Sequence, residues 1–468
     1  MKKEKSSFDL HPYMPTAVPE IRDEMLRELR AEKLDDLLEP IPEHLRYKGP
    51  LKLPDPLLAE ADLKREMQSL LQKNKGCDEY LSFLGAGCYR HYVPAVCDEI
   101  NSRAEFLTAY VGDVYSDHGK FQAFFEYCSM MAELLEMDVV SYPTFDGGQA
   151  VCSALRMALK VTGRSKLLIP STMNPEVLSQ LKDYNSHLAE LIQVNYQPES
   201  GQLDLADLES KLDDRVAAVF FENPSYLGFL EEQGREISRL ARSKGALTVV
   251  SAEPLSLGVL EPPANYGADL VCGDIQSLGI HMHYGGGCAG YIASHDDEKL
   301  ISAYPTYLYG ITGVKNGRGY GWGRALNWRT SHGSREQANE YMGTAAALWA
   351  ITAAVYLALL GPQGMREIGE TITARTAYAR NLLSAVKGIE SLFPEAVYFR
   401  EIPLSFNNFK IPVAAINKRL LDYQIFGGYD LSKEFPGMDK AALYAFTELT
   451  GASDITKLVE AIKEIAGD

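Results

Sequence analysis

The stretch from Asp269 to Tyr291 combines a short strand with a glycine-rich turn, and it reads Asp-Leu-Val-Cys-Gly-Asp-Ile-Gln-Ser-Leu-Gly-Ile-His-Met-His-Tyr-Gly-Gly-Gly-Cys-Ala-Gly-Tyr. Its apolar part is residues 270–272, and similar short apolar runs occur at residues 166–169, 216–221, 247–250 and 291–293. Such continuous runs, separated by segments of helical periodicity, are typical of strands that are buried on both faces. The sequence therefore predicts an α/β fold with one large, mostly parallel sheet.

Helical patterns lie between these runs and continue toward the carboxyl terminus. They predict helices at about residues 121–135, 146–161, 175–184, 205–212 and 236–244. Residues 304–334 are rich in Gly, Tyr, Arg and Trp and lack periodicity, which favours a long loop that is functional or forms contacts, with a plain excursion as the alternative. A helix through residue 360, a turn at residues 361–364, a helix to about residue 386 and an α+β tail follow. We expect a large domain at residues 77–334 and a smaller carboxyl-terminal domain at residues 335–468.

The amino-terminal segment, residues 1–76, is charged and repeatedly interrupted by proline. Proline breaks continuous elements, so this segment is predicted to be an arm that packs on another domain or subunit. Its apolar side chains must bury their surface somewhere, at about 25 cal/mol per Å². They include Leu34, Leu37, Leu38, Ile41 and Leu45.

Composition narrows the class of protein. The chain has 468 residues and a net charge of −17, which disfavours nucleic acid and anionic membranes as partners. The seven cysteines are scattered, so reduced thiols are expected rather than a disulfide framework. The start of the chain lacks a signal-peptide pattern, and the apolar residues 344–360 are interpreted as a buried core helix rather than a membrane span. These features predict a cytoplasmic protein.

Three short motifs are candidates for chemistry. Gly147 and Gly148 follow Asp146 at the start of a helix, where free amide groups suit a phosphate, although the pair by itself favours a tight turn over a phosphate site. Glu253 stands at the carboxyl end of a predicted strand, and a carboxylate there also caps helices. His281 and His283 have a spacing that suits zinc, but no third ligand is identifiable, so no metal is predicted and a hydrogen-bonding loop histidine is the alternative.

Several longer segments together resemble subunit 1, the α subunit, of the two-subunit glycine decarboxylase (P-protein) of the glycine cleavage system. The resemblance extends over nearly the whole chain. The segments that carry it are residues 41–46 (Ile-Pro-Glu-His-Leu-Arg), 53–57 (Leu-Pro-Asp-Pro-Leu), 82–96 (Ser-Phe-Leu-Gly-Ala-Gly-Cys-Tyr-Arg-His-Tyr-Val-Pro-Ala-Val), 254–258 (Pro-Leu-Ser-Leu-Gly), 276–280 (Gln-Ser-Leu-Gly-Ile), 354–362 (Ala-Val-Tyr-Leu-Ala-Leu-Leu-Gly-Pro) and 427–431 (Gly-Gly-Tyr-Asp-Leu).

This resemblance implies the aminotransferase-like fold type I of enzymes that use pyridoxal phosphate (PLP). It also implies a β subunit that carries PLP on its own lysine, and a lipoylated carrier, the H-protein, that receives the aminomethyl group after glycine loses CO2. In this chain Gln276 and Ser277 stand where the Schiff-base lysine is expected, so we expect no catalytic residue and no covalently bound cofactor here. The residues expected to line a vestigial cofactor pocket are Gly147, Gly148, Glu253, Gln276, Ser277 and His283.

The sequence departs from the family pattern in three places. Glu253 replaces the aspartate that pairs with the pyridinium nitrogen of PLP. Residues 109–119 form a shorter segment than the family has at this place, and residues 337–343 replace a basic segment of the family. A shorter wall loop changes the fit of a small substrate. Two alternatives to a glycine decarboxylase subunit therefore stay open, namely a paralogue that acts on another small amino acid and a non-catalytic scaffold or regulatory subunit.

Overall fold

A computed structural model describes residues 18–47, 49, 52–107, 119–338 and 346–467. The chain divides into two compact units, Met1–Asn74 and Lys75–Asp468. The described part of the first unit contains helix α1 (Pro19–Glu28), helix α2 (Glu60–Leu71) and two 3-10 turns, Leu34–Leu38 and Glu43–Leu45. Leu34, Leu37, Leu38, Ile41 and Leu45 are all exposed. The expectation that they are covered by another domain or subunit stays a prediction.

The second unit contains the remaining helices and the strands. Its helices are α3 (Ala95–Asn101), α4 (Ala104–Leu107), α5 (Phe121–Leu135), α6 (Gly147–Thr162), α7 (Pro175–Asn185), α8 (Leu205–Lys211), α9 (Gly234–Ser243), α10 (Glu298–Ala303), α11 (Ser331–Ser334), α12 (Ala347–Ser384), α13 (Val413–Leu420) and α14 (Ala452–Gly467). Its strands are β1 (Leu81–Ser82), β2 (Val139–Val140), β3 (Lys166–Pro170), β4 (Glu190–Val194), β5 (Val216–Asn223), β6 (Leu247–Ala252), β7 (Leu270–Asp274), β8 (Gly290–Ser294), β9 (Leu308–Gly313), β10 (Tyr320–Ala325), β11 (Glu390–Ser391), β12 (Glu401–Ser405), β13 (Ile425–Phe426), β14 (Tyr429–Asp430) and β15 (Ala441–Ala445).

The main sheet has seven strands in the order β2-β8-β7-β6-β5-β3-β4. The pairs from β7 through β6, β5 and β3 to β4 are parallel, whereas β8 runs antiparallel to both of its neighbours. The prediction of a mostly parallel α/β sheet is therefore confirmed. Ordinary βα connections leave the carboxyl ends of the parallel strands at one edge, where the loops are free to form a site.

The five apolar runs all form strands, and each strand extends at most two residues beyond its run at either end. The sequence does not predict β4, because this edge strand contains the exposed polar residues Glu190 and Gln193 and has no continuous apolar run. The segment expected to be a long loop contains β9 and β10, which pair as an antiparallel hairpin. Its glycine-rich sequence conceals the strand pattern.

Both faces of the main sheet are covered by apolar side chains. One face packs with α5, α9 and α12 around residues such as Met131, Ile237 and Tyr356. The opposite face packs with α6 and α10 around residues such as Leu155 and Phe220. Burial on both sides explains why the central strands are continuously apolar.

A second sheet, β11-β12-β15-β14, is antiparallel and packs with α13 and α14 in a separate apolar cluster. α12 is long and apolar enough to cross a membrane by length and composition alone. Its residues Ala350, Ala353 and Tyr356 are instead buried in the core of the main sheet. The chain breaks the helical geometry at Gly361, which has φ 58° and ψ −174° and precedes Pro362, at the place where the sequence predicts a turn.

Candidate functional site

A cavity of about 460 Å³ lies at the carboxyl ends of β5, β6 and β7. The start of α6, the loop at residues 85–89 and the residues that lead into β12 complete its walls. Among the residues expected to form a cofactor pocket, five line this cavity: Gly147, Gly148, Glu253, Gln276 and Ser277. His283 does not line it, although the adjacent Tyr284 and Gly285 do. That these residues bind a cofactor stays a prediction.

The two glycines at the start of α6 serve close packing. Asp146 caps the helix by accepting a hydrogen bond from Gln149 N at 2.7 Å, and Gly147 N donates to Asp274 Oδ2 at 3.3 Å. A Cβ atom on Gly147 would lie 2.9 Å from the Cβ of Asp274, and one on Gly148 would clash with Gln180. The tight-turn interpretation of this pair therefore matches the observed contacts, and carboxylates occupy amide groups that a phosphate would need.

Gln276 and Ser277 are buried, and their side chains form hydrogen bonds with other residues of the chain. The side chain of Gln276 accepts from Tyr89 N at 3.1 Å and donates to Tyr89 O at 3.0 Å and to Ile280 O at 2.9 Å. Ser277 Oγ donates to a carboxylate oxygen of Glu253. These two residues therefore join the turn after β7 to the loop that contains Tyr89 and to the end of β6.

Glu253 is held by three groups at the carboxyl end of β6. It accepts a hydrogen bond from Ser256 N at 2.9 Å, so it caps the 3-10 turn that follows, as the simpler interpretation of the sequence allows. It also accepts from Ser277, and its Oε1 atom lies 3.6 Å from Nη1 of Arg400. Its carboxylate is therefore committed to contacts within the chain.

Arg400 is the only basic residue among the described residues that line the cavity. Its guanidinium lies over the ring of Tyr89, with Cζ 3.3 Å from the centroid, and Nη1 donates to His91 Nε2 at 2.9 Å. His91 Nδ1 in turn lies 2.7 Å from Glu448 Oε2. Burial acts to lower the pKa of Arg400, but Glu253, Tyr89 and Glu401 outweigh it and hold the pKa above its ordinary value.

Carboxylates outnumber this single cation in the walls. The six acidic lining residues are Asp146, Glu176, Glu222, Glu253, Asp274 and Glu401. Burial raises the pKa of Asp274 to about 7 and that of Glu222 to about 7, and burial also raises the pKa of Glu401. Loss of solvation disfavours the charged form of each group. The cavity is therefore a poor environment for an anion.

The cavity residues do not fit PLP. No lysine is among the described lining residues, so the Schiff base has no amine. The amide of Gly147 is taken by Asp274, that of Gln149 is taken by Asp146, and the surrounding carboxylates would repel the phosphate group of the cofactor. We therefore derive no catalytic step on this chain through PLP.

The two histidines lie outside the cavity walls. His281 Nε2 is 3.0 Å from Asp98 Oδ1, and His283 stacks on Trp349 with ring centroids 4.9 Å apart. Their rings are 6.3 Å apart and nearly perpendicular. Across the described ranges, no three His, Cys, Asp or Glu side chains are grouped to hold a metal ion. Both histidines have the contacts expected of loop residues.

Two of the three departures from the family pattern cannot be located. Residues 108–118 and 339–345 lie outside the described residues, so most of the segments 109–119 and 337–343 has no structural account. Conversely, sequence reasoning missed Tyr89, Arg400 and Glu401 as cavity residues, although Tyr89 stands within a segment that carried the resemblance. Arg400 and Glu401 lie in no periodic pattern. The one signal in the sequence is that two residues of opposite charge stand next to each other before an apolar strand.

The chain matches the family described as "Glycine cleavage system P-protein" over residues 12–462. It is 36% identical to a protein of Staphylothermus marinus named "Probable glycine dehydrogenase (decarboxylating) subunit 1", covering 98% of this chain and 99% of the relative. A protein of Thermococcus kodakarensis with the same name is 37% identical, with 97% and 98% covered.

Solved structures agree with the fold. A glycine decarboxylase (P-protein) of the glycine cleavage system, in inhibitor-bound form, superimposes with a TM-score of 0.82, 33% identity, and coverage of 98% of this chain and 100% of that one. A sphingosine-1-phosphate lyase of Burkholderia pseudomallei superimposes with a TM-score of 0.62 at 12% identity, covering 91% of this chain and 94% of that one, which speaks for the fold alone. The chain has the PLP-dependent fold type I, as predicted.

Proposed function

The chain belongs to the glycine cleavage system P-protein family, and on this premise we propose that it is subunit 1 of a two-subunit glycine dehydrogenase (decarboxylating). In this proposal the chain acts only in a cytoplasmic complex with a β subunit that carries PLP. The complex decarboxylates glycine and transfers the aminomethyl group to the lipoylated H-protein. PLP supplies the electron sink for decarboxylation in the β subunit.

The observation that carries the proposal is which residues occupy the turn after β7. Gln276 and Ser277 stand there, buried and hydrogen-bonded within the chain, where the family resemblance implies the Schiff-base lysine. A lysine is the group that would hold PLP covalently. Together with a family match over nearly the whole chain, this turn supports a subunit whose chemistry depends on a partner.

The contribution of this chain is then to complete and support the assembly. The contacts of Gln276 with the backbone of Tyr89 and of Glu253 with Ser277 hold the loops around the cavity in one arrangement. A rigid shell of this kind keeps neighbouring groups in position for an active site on a partner. No side chain of this chain is assigned a catalytic role.

The test is reconstitution. This chain and the subunit-2 protein encoded in the same genome are purified separately and assayed for glycine–bicarbonate exchange with lipoylated H-protein. Exchange is expected from the mixture and from neither protein alone. Sedimentation of the mixture is expected to give two copies of each chain. Exchange by this chain alone would contradict the proposal.

The location of the cofactor is tested in the same mixture. Borohydride reduction followed by peptide mass spectrometry is expected to find reduced PLP on a lysine of the partner and on no lysine of this chain. A partner reduced before mixing serves as the control and is expected to give no exchange. PLP recovered on this chain would show that the division of roles is wrong.

The two alternatives predict different results in this assay. A scaffold or regulatory subunit leaves the exchange rate of its partner unchanged or modulates an activity that the partner already has alone. A paralogue for another small amino acid gives faster decarboxylation with alanine, serine or 2-aminobutyrate than with glycine. The replacement of aspartate by Glu253 motivates this comparison, since one methylene of fit in a pocket is worth about 1–3 kcal/mol.

The amino-terminal unit supports the proposal of a partner in a separate way. Leu34, Leu38 and Leu45 expose large parts of their side chains, and such a group of apolar residues favours a contact surface. A chain that begins after Asn74 is expected to lose binding to the β subunit in sedimentation. A matched variant with Leu34, Leu38 and Leu45 changed to Ser should weaken binding in the same direction. Unchanged assembly of both would mean that this unit is not the contact.

A further inference from the structure

Two cysteines from distant parts of the sequence meet beside the cavity. Cys88 belongs to the loop that enters the cavity wall, and Cys288 follows the three glycines 285–287. Both thiols contact one carbonyl oxygen, since Met282 O lies 3.5 Å from Cys88 Sγ and 3.9 Å from Cys288 Sγ. The two thiols therefore lie side by side, next to the same carbonyl group.

The two thiols differ in access and in acidity. Cys88 is half-buried and lines the cavity, whereas Cys288 is buried. The neighbouring Cys288 thiol lowers the pKa of Cys88, and the positive charge of Arg400 acts in the same direction, against burial and Asp274. The proximity of Cys88, together with burial, raises the pKa of Cys288. A partly exposed thiol with a lowered pKa, beside a second thiol, is the arrangement found at reactive cysteine pairs.

Three buried cysteines elsewhere in the fold, Cys97, Cys128 and Cys272, have raised rather than lowered pKa values. Burial raises the pKa of Cys97 to about 11 and that of Cys128 to about 12, and burial also raises the pKa of Cys272. Cys128 and Cys272 donate to backbone carbonyls at 3.9 and 3.7 Å. These cysteines are typical inert core residues.

The segment that contains Cys288 has room to adjust. Gly285 and Gly287 have positive φ, and a Cβ atom on any of the three glycines at 285–287 would meet no other atom within 4 Å. Disulfide formation needs the two sulfur atoms to approach to about 2 Å. Glycine permits many backbone conformations, so a small shift of this segment meets no side-chain packing at residues 285–287.

We propose that Cys88 and Cys288 form a dithiol site that low-molecular-weight disulfides of the glutathione class oxidise to an intrachain disulfide. The Cys88 thiolate attacks one sulfur of the small disulfide, forms a mixed disulfide and releases one thiolate. The Cys288 sulfur, after losing its proton to solvent, attacks the Cys88 sulfur and expels the second thiolate. Two electrons pass from the protein to the small disulfide, and the two protons end on the two released thiols.

The disulfide would join the loop at residues 85–89 to the segment at residues 282–288, both of which border the cavity. Oxidation therefore fixes the spacing of two walls of the cavity, and reduction releases it. The proposal does not rest on the proposed function, because its readout is covalent chemistry on this chain and needs no enzymatic activity.

The experiment uses the full chain in buffers with graded ratios of reduced and oxidised glutathione. Samples are quenched with acid, free thiols are blocked with iodoacetamide, and the digested peptides are measured by mass spectrometry. We expect a peptide linked through Cys88 and Cys288 in the wild type and, at the same ratio, in the control variant Cys77→Ser. Cys77 is similarly half-buried, and its replacement leaves the pair intact.

Two variants separate attack from resolution. In Cys288→Ser, the mixed disulfide with glutathione is expected to accumulate on Cys88. In Cys88→Ser, Cys288 is expected to react as slowly as Cys272. In the reduced wild type, Cys88 should be alkylated severalfold faster than Cys77. A wild type that keeps glutathione on Cys88 without forming the link, or a Cys88 no more reactive than Cys77, would overturn the proposal. Unchanged thermal midpoints of the reduced variants confirm that each is folded.

Discussion

The interior of the main sheet is apolar, whereas the cavity at its carboxyl edge is lined by charged groups. Residues 216–221 of β5 are apolar and wholly buried, and they pack against helices on both faces. One residue further, Glu222 faces the cavity with five other carboxylates and one arginine. The change from apolar packing to charge occurs where the strand ends.

This difference distinguishes the residues that stabilise the fold from the residues that surround the cavity. The interior depends on close packing, which any fold type I chain must maintain whether or not it binds a cofactor. The cavity carries no such requirement, and here its polar groups are satisfied mainly by one another, through Gln276, Ser277, Glu253 and Arg400. The packing of the main sheet therefore does not depend on whether this cavity holds a cofactor.

The largest effect is expected in the interior. Phe220 is fully buried, so Phe220→Ala should lower the free energy of unfolding by about 3–5 kcal/mol through lost burial and a cavity. Phe145→Ala is the matched control, because Phe145 is 46% exposed and should change stability by less than about 1 kcal/mol. Urea unfolding of the full chain is followed by tryptophan fluorescence, which reports on the second unit through Trp322, Trp328 and Trp349. Equal effects of the two variants would contradict this contrast.

A smaller but still large effect is expected in the cavity. Arg400→Met leaves Glu253 and Glu401 without their buried cation, which should cost about 3 kcal/mol, the lower end for buried pairs because Glu253 keeps some exposure. Adding Glu253→Gln should recover part of this loss. An exposed pair provides the control, and Arg235→Met should cost less than about 1 kcal/mol. If Arg400→Met is as mild as this control, the cavity network does not contribute to stability.

The carboxylates should also give the cavity a pH dependence that the apolar interior lacks. The pKa of Asp274 is about 7 in the folded chain because of burial and about 3.9 in an unfolded chain. Between these values the folded chain binds more protons, so the stabilisation from protonated Asp274 is complete below about pH 4 and is lost as the pH rises through 7. Asp274→Asn loses one hydrogen bond at every pH but also loses this dependence.

From pH 5 to pH 8, the stability of Asp274→Asn relative to the wild type should therefore rise by about 1–3 kcal/mol. Urea unfolding at both pH values measures the change, with Phe220→Ala as the reference whose difference from the wild type should not depend on pH. A constant difference for Asp274→Asn would mean that this carboxyl group is not perturbed by burial.

The last prediction is that PLP added to the purified chain has no effect. Because the cavity has no amine at Gln276 or Ser277, PLP added to the purified chain should form no internal aldimine. The absorbance spectrum should be the sum of the two components, and borohydride should trap no reduced PLP on a lysine. One reduced PLP per chain on a single lysine would contradict this prediction.

The same comparison explains which cavity residues can be predicted from the sequence. Gly147, Glu253 and Gln276 could be predicted as neighbours because each follows a strand or begins a helix, and the carboxyl ends of parallel strands converge. Arg400 and Glu401 could not, because they reach the cavity only when β12 and the second sheet dock beside the main sheet. His283 is close in sequence to Gln276, but its ring stacks on Trp349 outside the cavity walls, although the next two residues, Tyr284 and Gly285, line the cavity.

The sequence by itself determined the main strands, most of the helices, the break at Gly361 and the family. These depend on the spacing of apolar residues, on turn residues and on contiguous motifs, all of which act over a few positions. Only the tertiary structure decided that Gln276 binds Tyr89, 187 positions away, and that Cys88 and Cys288 share the carbonyl of Met282. Contacts of this kind depend on how whole elements pack, and no local pattern encodes the partner.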